Sequence, residues 1–241
     1  MKRNIFIILA FFLTLYGSSG SSRGNNAEPR QYYPLFILSG QSNMQLLDIG
    51  YFLPIIEETF GPGTIAVKDT LSGQSITNWY DKYDLLAGDG DGDPVGWFYY
   101  LLKRKIFSAI GNKNIRDVFF IWMQGERDAR EELGDVYENQ LEDLYKQLCR
   151  DINRKDIFFV IGRLSDFDME NEKYPHWTMI RDIQEKVAES KKKFDWVDTD
   201  DLNDGLNRRG DTINNDLHMS AEGYKTLGSR FAKRAIDLIN N

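Results

Sequence analysis

Two short stretches of this sequence hold side chains that could carry out acyl transfer. An apolar run, LFILSG, leads straight into GQSNMQ, so Ser42 falls where a strand gives way to a turn. At such a junction a hydroxyl can be exposed, and flanking backbone N–H groups can point at an anion. A serine placed there is either a nucleophile or a helix cap. The second stretch, NDLHMSAEGY, puts His218 in the loop before the last helical pattern. A nucleophilic serine needs a base within hydrogen-bond reach. The chain has 2 histidines, and the other, His176, reads as a surface or helix-start residue. One of the two must serve if this is a Ser-His enzyme.

Other patterns invite chemistry and yield to simpler readings. Glu126 and Asp128 lie just behind an apolar run, and paired carboxylates are what a glycosidase uses. Here Glu126 is expected to hold its loop by hydrogen bonds, with Arg127 or Arg181 as partner, and Asp128 to begin the following helix. The run GDGDGDP, Gly88 to Pro94, alternates Asp89, Asp91 and Asp93 like half a calcium loop. Its twelfth position is Tyr100 rather than glutamate, so it reads as a solvated turn. Gln41 and Asn43 flank Ser42 and are expected to position the turn or to touch substrate hydroxyls. Among Trp79, Tyr80, Tyr83, Trp97 and Trp177, Trp79 is the one expected on the substrate side. The single cysteine, Cys149, excludes an internal disulfide and a cysteine-built metal site.

The elements that must position these residues follow from hydrophobic spacing. Short apolar runs, PLFILSG, TIAVKDT, DVFFIWMQG, DIFFVIGRL and FDWVDTD, alternate with longer amphipathic stretches. The latter span about 94–110, 130–150, 177–192 and 220–239, with Ser220 as a cap for the last. This alternation predicts an α/β fold, a three-layer α/β/α sandwich with a five-stranded, mostly parallel sheet. In such sheets ligands sit beyond the carboxyl ends of the strands, where Ser42 falls. At 241 residues, with 41% hydrophobic and 13% aromatic content, the chain suits one globular domain. A basic start, MKRN, an apolar run from Ile5 to Leu15 and the small residues GSSGSS have the layout of a secretory signal peptide. The expectation is a leader over 1–28, a domain over 29–241, a secreted or periplasmic protein, and no membrane association after cleavage. The net charge of −7 becomes −9 without the leader's Lys2 and Arg3, so nucleic acid is excluded as a partner and a neutral substrate is favoured.

Five blocks, LFILSGQSNMQ (35–45), SGQSITNW (72–79), IWMQGERDA (121–129), WTMIRDIQEKVA (177–188) and NDLHMSAEGYKTLGSRFAK (215–233), fall in the order and spacing of the SGNH hydrolases. More narrowly the chain resembles their branch of sialate O-acetylesterases and family-six acetylxylan esterases. The resemblance implies a flavodoxin-like fold and a serine esterase that removes O-acetyl groups from carbohydrate, with no metal and no cofactor. It implies Ser42 as nucleophile, His218 as base, and an oxyanion hole made by the backbone N–H groups of Ser42 and Gly73 and the side-chain amide of Gln124. A plain turn glycine and a core-edge amide are the other readings of those last two residues. The chain departs from the pattern at the triad's acid. Most SGNH hydrolases carry it three residues before the histidine, which here is Asn215, whereas Asp216 lies two before. Asp216, or a backbone carbonyl with Asn215, is expected to orient His218.

Overall fold

The computed structural model describes residues 31–79 and 96–240. The expected leader, the Gly88 to Pro94 turn, Tyr80 and Tyr83 lie outside them. The chain opens with β1 (Tyr32–Gly40), α1 (Ser42–Leu46), α2 (Leu53–Phe60) and β2 (Ile65–Thr70). It continues through α3 (Trp97–Ile110), β3 (Asn114–Met123), α4 (Glu126–Arg130), α5 (Gly134–Ile152) and β4 (Phe158–Gly162). Then come α6 (Trp177–Glu189), β5 (Phe194–Val197), a hairpin of β6 (Gly205–Leu206) and β7 (Thr212–Ile213), and α7 (Ala221–Asn240).

The 5 long strands form one parallel sheet in the order β2-β1-β3-β4-β5. Both faces are covered, which is why the strands read as unbroken apolar runs. Alternate residues serve opposite layers. Leu35, Ile37, Phe120 and Phe159 pack against α3, α5 and α6, while Phe36, Leu38, Phe119 and Phe158 pack against α2 and α7. In-register neighbours become stacks: Phe36 lies on Phe119 at 4.4 Å between centroids, and Phe119 on Phe158 at 4.8 Å. Such pairs add about 0.5–1.5 kcal/mol each beyond their burial.

Ser220 caps α7 as expected, its Oγ accepting from Gly223 N at 3.0 Å. The helix expected over 130–150 is divided, because Glu132 turns into the left-handed region at φ 58 before α5 begins. One glycine sets the site's position. Gly40 sits at φ +142, and a Cβ there would lie 1.9 Å from Met123 O. Only glycine lets the end of β1 press against β3, where Gln41 N donates to Met123 O at 3.1 Å. That contact places Ser42 just past the carboxyl ends of both strands.

Candidate active site

Ser42 opens α1 and is 9% exposed. His218 arrives from the loop before α7, 176 residues later, and its Nε2 stands 3.1 Å from Ser42 Oγ. Burial holds the His218 pKa below its usual 6.5, with nearby Asp216 pulling the other way. A ring that is neutral at physiological pH, with Nε2 facing a hydroxyl, is set to take that hydroxyl's proton.

Asn43 ties the two halves of the site together. Its Nδ2 donates to Glu126 Oε1 at 2.7 Å and to Leu217 O at 3.2 Å. Its Oδ1 accepts from Tyr224 Oη at 2.8 Å, and Tyr224 Oη in turn accepts from Met219 N at 3.2 Å. The residues on either side of His218 are thus pinned to the residue after Ser42. Tyr224 closes the NDLHMSAEGY stretch, and nothing in its spacing marks this role. Glu126 uses neither arginine expected for it: Arg127 pairs with Glu131, and Arg181 with Asp200 at 2.7 Å. Loss of water around Glu126 pushes its pKa up to about 7, and its Oε2 is buried without a partner among the described residues.

Asp128 does not begin a helix but sits inside α4, fully buried, as the anchor of the loop that carries Gly73. Its carboxylate accepts from Ser75 Oγ at 2.6 Å, from Ile76 N at 3.1 Å and from Gln124 Nε2. Desolvation raises its pKa, and those donors oppose the rise. Gly73 itself borders the cleft in the left-handed conformation at φ +70.

Two expectations are corrected here. Gln124 is fully buried behind the site rather than on the cleft wall. Its amide points at Asp128, at Gln74 O (3.0 Å) and at Gln41 Oε1 (3.3 Å), so both its N–H groups have acceptors inside the protein. The reason is Asp128: a buried carboxylate four residues on draws the amide inward. Trp79 is 1% exposed, edge-on to Trp122 at 5.2 Å, with Nε1 donating to Ser39 Oγ at 3.1 Å. Its ring faces are spent on the core, and none is left for a sugar.

The triad's acid is where geometry says most. Asp216 Oδ1 accepts from His218 N at 2.8 Å but lies 4.0 Å from Nδ1, beyond hydrogen-bond length. Asn215, at φ 45, turns its Oδ1 to Asn203 Nδ2 at 3.1 Å. Among the described residues none makes a hydrogen bond to His218 Nδ1. His176 starts α6 as expected, accepting from Gly134 N at 3.0 Å.

Ser42 and His218 open into a cleft of about 520 Å³, within the ~300–1,000 Å³ usual for small-molecule sites. Gln41, Glu126 and Gly73 were anticipated along it; Gln45, Arg130 and Tyr174 were not.

A parallel sheet sandwiched by helices, with a serine and a histidine in contact beyond its carboxyl edge, fits a carboxylic ester hydrolase. Residues 64–237 match the family described as carbohydrate esterase, sialic acid-specific acetylesterase, and the chain belongs to that family. The matched span begins after Ser42. A solved structure of a protein from Arabidopsis thaliana superposes with a TM-score of 0.63 at 16% identity, covering 85% of this chain and 98% of that one. The structure of NanS gives 0.59 at 13% identity, with 87% and 98% covered. A carbohydrate acetylesterase from Xanthomonas citri gives 0.60 at 16% identity, covering 85% of this chain and 56% of that one. No curated protein matches the chain in sequence. Among the described residues no helix is long and apolar enough to cross a membrane.

Proposed function

We propose that this carbohydrate esterase cleaves O-acetyl esters through a Ser42 acyl-enzyme. The observation that carries the reading is the 3.1 Å contact between His218 Nε2 and Ser42 Oγ on the cleft wall. His218 takes the hydroxyl proton as Oγ attacks the acetyl carbonyl. The carbonyl oxygen gains negative charge, and the backbone N–H groups of Ser42 and Gly73 stabilise it. As the tetrahedral intermediate collapses, His218 returns the proton to the departing sugar oxygen, leaving acetyl on Ser42. Water then attacks the acyl-enzyme with the same base, releasing acetate and restoring the hydroxyl.

In this reading His218 works with Asp216 as a nearby charge rather than a ring-bound acid. The family match and the solved carbohydrate acetylesterase support an acetylated sugar as substrate. The amino-terminal pattern supports a secreted or periplasmic protein, with a leader over 1–28 and a catalytic domain over 29–241. Acetate release from p-nitrophenyl acetate, against butyrate and octanoate esters, tests the assignment. The expected order is acetate first by a wide margin, and Ser42→Ala should abolish turnover without loss of fold. Near-normal turnover in Ser42→Ala, or a preference for octanoate, overturns it.

A further inference from the structure

The cleft does not end at the catalytic pair. A second hollow of about 420 Å³ shares Leu46 and His218 with the first but not Ser42. Its outer boundary is the segment around β6 and β7, which no feature of the sequence marked as functional. Met219 and Tyr224, both nearly fully buried, form its floor, with Ile213 at the side and Arg208 exposed at the rim.

The hollow is built in advance of any ligand. Asn207 Oδ1 accepts from Arg209 N at 2.8 Å and from Asp211 N at 3.0 Å, fixing the turn between the two short strands. The Arg208 guanidinium lies 5.3 Å from the centre of the Tyr224 ring, and one of its nitrogens donates to Leu46 O. The same arginine therefore braces the wall between the two hollows and lines the second. A preformed wall avoids an ordering cost on binding. An apolar floor under a rim of guanidinium donors suits a sugar ring, which has C–H faces and a hydroxyl edge.

We infer that the second hollow is a subsite for the neighbouring unit of an acetylated oligosaccharide, so that the substrate is a glycan chain laid across His218 and not a lone acetylated sugar. The inference rests on the proposed esterase reading. Each hollow alone falls within the ~300–1,000 Å³ of a small-ligand site, so a monosaccharide ester fills one and leaves the other empty. The unit that carries the ester lies against Ser42, and the next unit reaches past Leu46 to Arg208 and Ile213.

The test compares two pairs of probes: acetylated xylotriose with acetylated methyl xyloside, and O-acetylated sialyllactose with O-acetylated sialic acid. In the better pair, kcat/KM should favour the oligosaccharide by about tenfold, the effect of ~1.4 kcal/mol. Ile213→Trp, which fills the hollow, and Arg208→Ala should each bring that ratio to within about twofold of unity. A third arm needs no variant: deacetylated oligosaccharide should inhibit p-nitrophenyl acetate hydrolysis at lower concentration than the monosaccharide. Equal rates on both members of each pair overturn the inference, as does a preference that survives Ile213→Trp in a folded protein. Absence of p-nitrophenyl acetate hydrolysis by the wild type instead overturns the esterase reading beneath it.

Discussion

Asp128 is the residue by which the proposed oxyanion hole can be tested without touching it. Its carboxylate is buried, and three donors converge on it: Ser75 Oγ on one oxygen, and Ile76 N with Gln124 Nε2 on the other. Asp128→Ala takes an acceptor from all three, and Gln124 Nε2 keeps Gln74 O and Gln41 Oε1. An unsatisfied buried donor costs about 1–3 kcal/mol, and Ser75 Oγ only accepts from Thr77 Oγ1 at 3.0 Å, so two donors, Ser75 Oγ and Ile76 N, bear the loss. Destabilisation of about 2–5 kcal/mol is expected. The loop freed by the change carries Gly73, and misplacing one oxyanion donor lowers kcat by about 10²- to 10³-fold. KM should move far less, because the donor acts on charge that develops after binding. Asp128→Asn separates this from general damage. Its oxygen can keep Ile76 and Gln124 while its amide donates to Ser75 Oγ, so kcat should recover to within about tenfold of the wild type. Steady-state kinetics on an aryl acetate, with urea unfolding of each variant, makes the measurement. An Asp128→Ala protein that unfolds more easily yet keeps kcat within about twofold refutes the link from Asp128 to the reaction.

Further outcomes follow from the same distances. Asp216→Asn preserves an acceptor for His218 N and removes only a charge 4.0 Å from the ring in a half-exposed setting. Exposed pairs are worth about 0.2–1 kcal/mol, so kcat should fall less than about tenfold, and a loss of several orders of magnitude would show that Asp216 binds the ring during turnover. The pH dependence of kcat/KM should show one rising limb with its midpoint below 6.5, since burial lowers the His218 pKa and the neutral ring is the base; a midpoint well above 7 contradicts this. Glu126 is raised from 4.5 to about 7 in the folded state. The folded protein therefore holds a proton that the unfolded chain has released, and this stabilisation is full below pH 4.5 and fades as pH rises to about 7. Its size is about 3 kcal/mol by linkage, and His218, shifted downward, contributes the opposite slope. Urea unfolding at pH 5 and 7.5 should show the pH 7.5 deficit shrinking in Glu126→Gln, whose amide can still accept from Asn43; an unchanged deficit refutes it.

Much of this protein was written in local pattern. Apolar runs of strand length between amphipathic stretches determined the sheet and its helical layers, because parallel strands buried on both faces need apolar residues throughout. The strand-to-turn junction at GQSNM and the scarcity of histidine narrowed the nucleophile and base to a few candidates, and the family resemblance singled out Ser42 and His218. Short elements escaped notice: α2, α4 and the β6–β7 hairpin have too few residues to show a period. Side-chain direction escaped as well. The sequence presents Gln124 and Asp128 as a motif, but whether the amide faces the cleft or the carboxylate depends on which acceptors the fold brings near. The same holds for Trp79, whose ring is taken by Trp122 and Ser39, and for Asp216, whose carboxylate goes to a backbone N–H and not to the imidazole ring. Each of these choices is settled between groups distant in the chain, competing for hydrogen bonds and buried space at distances of a few ångströms. That competition exists only once β1, β3 and the loop before α7 have come together, so tertiary structure alone decided it.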